Sequence, residues 1–236
     1  MKKSLHLLIV ASVLGGCGEK PDQHTPAETE TRDGNASKTQ RGLEVLMNEN
    51  LETALRENLK KPSAPITRDD LLSVRELLFS NKQQISDLSG IKELRNLTRL
   101  VLQGSPVSDL TPLSGLTQLN SLALMGNQVN DLAPIQGLTH LQWLYVVGNP
   151  ISDLTPLSGL TYLGNLGLMN CGIIDLKPLA GLTKLTELNL KGNRINNLTP
   201  LTGLKDLKLL YLQDNPIPED HKTLIRKALP DCKIVF

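Results

Sequence analysis

The sequence lacks a strong excess of charge of either sign. Its 25 lysine and arginine residues stand against 24 aspartate and glutamate residues, which gives a formal net charge of +1 at pH 7. Nucleic acids and anionic membrane surfaces attract proteins that carry a large basic excess. The charge balance therefore argues against both as general partners of the protein surface, and no nucleic-acid partner is expected.

Residue sets that carry catalysis or hold metals are also scarce. No two of the four histidines have ligand spacing, and no glycine-rich loop is followed by the lysine of a phosphate-binding loop. Cys171 and Cys232 are interpreted as small buried thiols. Because an active site needs a nucleophile, an acid or base, or a metal held by converging groups, the sequence predicts no enzyme, no catalytic residue, no cofactor and no metal site.

The apolar run over residues 7–14 is too short to span a bilayer, which takes about 20 residues in a helix. It follows the basic residues Lys2 and Lys3, an arrangement typical of an export signal. The run ends in Leu14-Gly15-Gly16-Cys17, which resembles a lipobox, and this resemblance implies that the thiol of Cys17 is acylated and becomes the new N-terminus. The alternative is an ordinary cleaved signal peptide with a chance cysteine.

This resemblance implies that residues 1–16 are a lipoprotein signal peptide and that Cys17 is the lipidation site that attaches the protein to a membrane. Gly18 stands where an aspartate often retains lipoproteins at the inner membrane, so an outer-membrane position in the cell envelope is favoured if the source is a Gram-negative bacterium. Residues 19–42 hold hardly an apolar side chain and cannot bury enough surface to fold. Residues 17–42 are therefore predicted to be the lipidated cysteine and a disordered tether.

A fixed period of 22 residues dominates the rest of the chain. Within the unit over residues 115–136, the alternation of Leu122 and Leu124 predicts a short strand with both leucines on one face. One unit cannot enclose its own leucines, so the units are predicted to stack into a solenoid with a continuous core. Glycines open successive units at equal intervals (137 minus 115 is 22), at Gly115, Gly137, Gly159, Gly181 and Gly203.

The pattern LxxLxLxxN resembles the leucine-rich repeat family, and the unit length with its IxDLxPLxGLT ending is similar to the internalin-type subclass of bacteria. The resemblance implies an α/β solenoid, a right-handed array with short parallel strands on its concave side and 3₁₀ segments on its convex side. Seven units are expected over residues 70–217. A helical N-terminal cap is expected over residues 43–69, and a helix-strand C-terminal cap over residues 218–236.

The N-terminal cap has its own local signals. Residues 43–61 carry apolar side chains at helical spacing, with Asn48 or Asn50 available as the N-cap. Thr67 and Asp70 have the spacing of a capping box and predict the start of a second short helix. Both helices are expected to cover the open end of the leucine core.

The first and last units depart from the regular pattern. One extra residue is expected within residues 82–84, and the alternation of the first strand points Leu77 inward and Leu78 outward. At the other end, residues 219–229 have helical spacing and residues 233–236 are rich in β-prone side chains. This helix and final strand are expected to cover the other end of the core.

Two polar ladders run along the array. Asparagine recurs where the chain leaves each strand, with Cys171 in one of these places, and its side chain is expected to satisfy buried backbone groups. Aspartate recurs before a Leu-x-Pro-Leu segment, whose proline suits the first turn of a 3₁₀ segment. These carboxylates are expected to cap backbone N–H groups, and a stripe of metal ions is the alternative. The ladder residues are Asn127, Asn149, Asn193, Asn215, Asp109, Asp131, Asp153 and Asp175.

The side chains flanking the buried leucines make up the concave face, and its middle is apolar. Trp143 is the only tryptophan, and it shares this face with Tyr145, beside a dip expected over Gly167. Exposed aromatics among apolar neighbours have the composition of a binding hot spot. The alternative is that they only cover the sheet or touch the tether. The predicted partner-binding residues are Trp143, Tyr145, Val147, Met125, Met169, Asn165, Glu187 and Tyr211.

The sequence thus predicts a monomeric, envelope-anchored module that binds a protein partner on its concave face. A host surface protein is the expected partner of an adhesin, and another envelope protein is the expected partner of a scaffold. The alternative function is glycan or small-ligand binding, with a ring stacked on Trp143 and Tyr145.

Overall fold

The computed structural model describes residues 49–79 and 85–236, and these residues form one parallel sheet of eight strands. Each strand is hydrogen-bonded to its neighbours in sequence, so the order of the strands along the sheet is their order in the chain. Seven of the strands belong to the seven predicted units, one strand to a unit, and the eighth lies in the predicted C-terminal cap. This is the arrangement expected of a solenoid, which confirms that prediction. The strands are β1 (Glu76–Phe79), β2 (Arg99–Gln103), β3 (Ser121–Met125), β4 (Trp143–Tyr145), β5 (Asn165–Gly167), β6 (Glu187–Asn189), β7 (Leu209–Tyr211) and β8 (Lys233–Val235).

The pairing register repeats with the sequence period. Arg99 pairs with Ser121, and Ser121 pairs with Trp143, each step being 22 positions (121 minus 99). The first step is longer, because Glu76 pairs with Arg99, 23 positions on (99 minus 76). One extra residue therefore separates the first two strands, as predicted. The place predicted for it, residues 82–84, lies outside the described residues.

Leucines at equivalent positions of the repeats form the core. Leu100, Leu122 and Leu144 are paired across β2, β3 and β4 and are completely buried. Burial of a leucine side chain contributes about 1.5–3 kcal/mol, and each repeat gains it only because its neighbours cover it. In β1, Leu77 is buried and Leu78 is 54% exposed, as the alternation predicted.

Aspartates cap the 3₁₀ segments of the middle repeats. Asp109 Oδ1 accepts a hydrogen bond of 2.8 Å from the N–H of Thr111, and Asp131, Asp153 and Asp175 each accept one from the N–H two residues on. The hydrogen bonds from Thr111 lower the pKa of Asp109. These contacts confirm the predicted capping role. The segments are Ile91–Glu93, Thr111–Leu113, Ala133–Ile135, Thr155–Leu157, Lys177–Leu179 and Thr199–Leu201.

The asparagine ladder satisfies backbone groups of the preceding repeat. Asn149 Nδ2 donates to a backbone carbonyl one repeat earlier at 2.6 Å, and its Oδ1 accepts from the N–H of Val129 at 3.0 Å. Cys171 supplies only the donor, because its thiol lies 3.2 Å from the carbonyl oxygen of Val146. The N–H of Ile151, which would face the missing amide oxygen, instead donates to the carbonyl of Asn149 at 2.8 Å.

The first helix, α1 (Glu49–Leu59), covers the N-terminal end of the core with Leu51 and Leu55, which are completely buried. Asn50 lies within this helix, so the interpretation of Asn50 as its N-cap is wrong. The other candidate, Asn48, lies outside the described residues.

A second short helix, α2 (Arg68–Ser73), has Thr67 as its N-cap, with the predicted capping box. Asp70 accepts hydrogen bonds from the backbone N–H and the hydroxyl of Thr67 at 2.8 and 2.7 Å. Asp70 also pairs with Lys61 at 2.7 Å, which ties α2 to the segment that follows α1. The helix runs across residue 70, where the repeats were expected to begin.

At the other end, α3 (Glu219–Ala228) buries Ile225, and β8 pairs with β7. The ring of Phe236 lies 5.7 Å from Lys222 Nζ and 4.8 Å from the guanidinium carbon of Arg226. These cation–π contacts stabilise the packing of Phe236 against α3. None of the helices in the described part of the chain has both the length and the apolar composition needed to cross a membrane.

Candidate interaction surface

The sheet has one face on the leucine core and an opposite face, termed the open face, which corresponds to the predicted concave side. Its side chains fall into rows, because equivalent residues of neighbouring repeats are paired. The first row is Arg99, Ser121, Trp143, Asn165, Glu187 and Leu209. The second row is Val101, Ala123, Tyr145, Gly167, Asn189 and Tyr211.

Strand β4 places Trp143 and Tyr145 on the open face, two residues apart, and both are half-buried. The ring of Tyr145 lies over Gly167 of β5, where a β-carbon would stand 2.5 Å from Cδ1 of the ring. The dip predicted over Gly167 is therefore filled by Tyr145, and that prediction is wrong. The physical reason is that a glycine leaves an uncovered strip of backbone, which an aromatic ring on the neighbouring strand can cover.

A polar pair lies next to the two rings. Asn165 Nδ2 donates a hydrogen bond of 3.0 Å to Glu187 Oε2, across β5 and β6. Burial, and then the charge of Glu187, raise the pKa of Tyr145 to about 12. Tyr145 is thus a neutral phenol that lies within the electrostatic reach of a carboxylate.

Two methionines expected on the accessible surface are buried instead. Met125 is 5% exposed and Met169 is 8% exposed. Alternation predicts the direction of a side chain but not what its neighbours cover, and the amide of Asn189 lies 4.0 Å from the sulfur of Met169. These methionines therefore form the floor of the open face, whereas Val147, just after β4, stays half-buried.

Tyr211 lies in the row of Tyr145 but does not contact the same place. Gly167 and Asn189 stand between them, so three strand spacings of about 4.8 Å place their Cα atoms roughly 14 Å apart. The structure thus brings together Trp143, Tyr145, Val147, Asn165 and Glu187, which are termed the aromatic patch, and leaves Tyr211 at a separate position.

One exposed aromatic residue, Tyr162, is not among the predicted partner-binding residues. It is 54% exposed, and its ring centroid lies 3.8 Å from Lys184 Nζ. The available signal was the 22-residue interval between the two residues (184 minus 162), which places them on neighbouring repeats. This contact lies outside the strands, so Tyr162 is not part of the aromatic patch.

The two described cysteines are free thiols, with Cys171 buried and Cys232 half-buried. Burial raises the pKa of both thiols. Protonated thiols are poor nucleophiles. Among the described residues, no three histidine, cysteine, aspartate or glutamate side chains are grouped so that they would hold a metal ion.

No protein-family model matches the chain, and a search of curated proteins found no match. Solved structures do match. The chain is 29% identical to an internalin (inlF) of Listeria monocytogenes, with a TM-score of 0.74, over 82% of this chain and 57% of that chain. It is 29% identical to internalin C2 of the same species, with a TM-score of 0.67, over 82% of this chain and 96% of that chain.

A leucine-rich repeat protein of Leptospira interrogans is 25% identical, with a TM-score of 0.56, over 72% of this chain and 51% of that chain. The chain thus spans little more than half the length of two of these proteins and almost all of internalin C2. The predicted leucine-rich repeat solenoid is confirmed, and the neighbours are bacterial proteins with this fold. They support a protein-interaction module, and such domains are typically non-enzymatic.

Proposed function

We propose that this leucine-rich repeat solenoid is anchored to a bacterial cell envelope and captures a protein partner on the open face through the aromatic patch. The observation that carries the proposal is the arrangement of Trp143 and Tyr145, two half-buried rings on one short strand with polar side chains beside them. Tryptophan and tyrosine are enriched among the residues that dominate binding energy at protein interfaces.

The support under the rings favours binding. Tyr145 lies on the backbone of Gly167, and strand pairing fixes the main chain on both sides of β4. A side chain that is held in place before binding loses less conformational entropy when a partner arrives. The aromatic patch can therefore bury apolar surface against a partner with a small loss of conformational entropy. Asn165 and Glu187 supply polar contacts at its edge.

The proposed anchor is the lipid on Cys17, which follows from the resemblance of residues 14–17 to a lipobox. The signal segment and Cys17 both lie outside the described residues. Replacement of Cys17 by serine removes the acylated thiol, so Cys17→Ser is expected to move the protein from the detergent phase to the aqueous phase in detergent phase separation. Unchanged partitioning would contradict the anchor and would leave the aromatic patch as the remaining part of the proposal.

Photocrosslinking in the native cell tests the aromatic patch. A photoreactive amino acid at Val147 keeps both rings and is expected to capture a partner, whereas the same probe at Ile174, which is 56% exposed outside the strands, is the matched control. Trp143→Ala with Tyr145→Ala is expected to weaken capture at Val147 by about 2 kcal/mol or more. Equal capture by the wild type and the double variant would contradict binding at this patch.

A glycan is the second candidate, because Trp143 stands beside the hydrogen-bonded pair of Asn165 and Glu187. Sugar rings stack on aromatic faces while their hydroxyl groups need such polar neighbours. Isothermal titration with cell-wall fragments distinguishes the two functions. Saturable binding that is lost in Trp143→Ala favours the glycan, and the absence of any heat of binding favours the protein partner.

A further inference from the structure

Glu187 is a half-buried carboxylate that accepts a hydrogen bond and takes part in no ion pair within the described part of the chain. Asn165 donates to it at 3.0 Å. The ion pairs among residues 49–79 and 85–236 involve the acids Glu52, Asp70, Asp214 and Glu219, and not Glu187. A half-buried charge without a counter-charge is costly unless something from outside neutralises it.

The two lysines that flank β6 in sequence, Lys184 and Lys191, already have partners. Lys191 follows β6 on the open face, and its Nζ lies 3.5 Å from Asp214 Oδ2. Lys184 is also occupied, since its ammonium group lies over the ring of Tyr162. The carboxylate of Glu187 is therefore available to a positive group of a bound molecule.

The two rings and this carboxylate border one small site. Trp143, Asn165 and Glu187 are consecutive in the first row, so two strand spacings of about 4.8 Å place the Cα atoms of Trp143 and Glu187 roughly 10 Å apart. Asn165 lies between them in this row. Tyr145 leans over Gly167 toward β6, and the charge of Glu187, after burial, raises the pKa of its phenol.

We propose that this site receives an arginine side chain of the protein partner, an inference that rests on the proposed function. A guanidinium is attracted to the negative face of an aromatic ring when it lies within about 6 Å of the ring centroid. It also forms charge-assisted hydrogen bonds of about 2.7–2.9 Å to a carboxylate. A separation of roughly 10 Å between backbones leaves room for one planar cation that touches a ring and Glu187 together.

The chemistry of the four side chains favours arginine over other residues. A neutral apolar side chain would cover Glu187 and leave its charge without a partner. A lysine ammonium has the charge but neither the plane that stacks on a ring nor the fork that meets a carboxylate with two hydrogen bonds. The amide oxygen of Asn165 supplies an additional acceptor for a guanidinium N–H, because its Nδ2 donates to Glu187.

Trp143 reports directly on this site, because it is the only tryptophan of the chain. The probes are N-acetyl-arginine amide and its neutral analogue N-acetyl-citrulline amide, titrated into the full chain while tryptophan emission is measured. We expect a saturable change with the arginine probe and an apparent affinity about tenfold or more weaker for the citrulline probe. The Glu187→Gln variant is expected to bind the arginine probe as weakly as the wild type binds citrulline.

A matched control variant is Glu76→Gln. Glu76 is an exposed acid on β1, the N-terminal edge strand of the sheet, where its main chain pairs with that of Arg99 of the first row. This change is therefore expected to leave the titration unaltered. Equal binding of the arginine and citrulline probes, or equal binding by the wild type and Glu187→Gln, would overturn the inference.

Failure of the inference and failure of the proposed function are distinguishable. If capture at Val147 is lost in Trp143→Ala but is unchanged in Glu187→Gln, the aromatic patch binds a protein and the arginine inference is wrong. If capture survives removal of both rings, the proposed function fails and the inference fails with it. Loss of capture in Trp143→Ala and in Glu187→Gln, but not in Glu76→Gln, supports both.

Discussion

The ring of Tyr145 lies across the backbone of Gly167, so close that a β-carbon at position 167 would stand 2.5 Å from Cδ1 and 3.2 Å from Cε1. The two residues are paired on adjacent strands. The ring covers backbone that glycine leaves bare, and glycine gives the ring the space to lie flat. The position of the central aromatic residue of the open face therefore depends on the absence of a side chain in the next repeat.

Gly167→Ala is expected to displace Tyr145 and to weaken partner capture about as much as Tyr145→Ala. Forcing one methyl group into a filled space costs about 1–3 kcal/mol, and this cost is expected in urea unfolding of the variant. The matched background is Tyr145→Ala, where the clash is gone and the same Gly167→Ala change is expected to be neutral or stabilising by about 0.4–1 kcal/mol. An equal cost in both backgrounds would contradict the contact.

The fold followed from the sequence because one physical signal was repeated many times. A 22-residue interval places each leucine beside its copy, so Leu100, Leu122 and Leu144 were predictable as a buried stack. The capping box of Thr67 and Asp70 was predictable because it depends on residues three positions apart. Both signals are local or strictly periodic.

The surface was less predictable because exposure depends on which neighbours cover a side chain. Alternation placed Met169 on the open face correctly, but it did not predict that the side chain is only 8% exposed, with the amide of Asn189 of the next repeat beside its sulfur. The same limit applies to Gly167, which a periodic pattern presents as a gap until the orientation of Tyr145 is known. The 22-residue interval pairs Tyr145 with Gly167, but it does not determine that the ring lies over the glycine.

Gly192 and Gly148 allow two constraints on a turn glycine to be compared, its left-handed backbone and the space available for a β-carbon. Both have left-handed backbone, with φ of 71° and 70°. A β-carbon at Gly192 would stand 1.9 Å from Asn170 Oδ1, whereas at Gly148 it meets only backbone at 3.8 Å. Gly148→Ala is therefore expected to cost about 1–2 kcal/mol for the left-handed conformation alone. Gly192→Ala is expected to cost slightly more in urea unfolding, because the exposed Asn170 side chain must also rotate away.

The control for this difference is the Asn170→Gly background. Removal of the Asn170 side chain is expected to bring the cost of Gly192→Ala down to that of Gly148→Ala, because only the backbone penalty remains. A larger cost at Gly148 than at Gly192 would contradict the predicted clash.

Cys171→Asn is expected to stabilise the solenoid by completing the asparagine ladder. An amide at this position supplies a donor to the carbonyl of Val146, which the thiol now contacts, and an acceptor for the N–H of Ile151, which now bonds to Asn149. Each net hydrogen bond contributes about 0.5–1.5 kcal/mol, so the midpoint of urea unfolding is expected to rise. Cys171→Ala is the control and is expected to lower it, since it removes the thiol donor. A lower midpoint for asparagine than for alanine would show that the site does not admit the amide.

The acid stability of the N-terminal cap is expected to depend on Asp70. The side-chain hydrogen bond from Lys61, followed by the bonds from Thr67, lowers the pKa of Asp70 from 3.8 to about 2. Because the folded-state pKa is depressed, the stabilising contribution of the ionised carboxylate is fully present above about pH 4 and is lost as the pH falls through about 2. We therefore compare the free energy of unfolding of the wild type and of Asp70→Asn in urea across this pH range. The difference between them is expected to be constant near neutral pH and to shrink on acidification.

The matched control is Asp69→Asn, because Asp69 is an exposed acid in the same turn of α2. This variant is expected to change the free energy of unfolding less. A difference for Asp70→Asn that stays the same between about pH 5 and pH 2 would show that the carboxylate does not hold α2 to Lys61 through its charge.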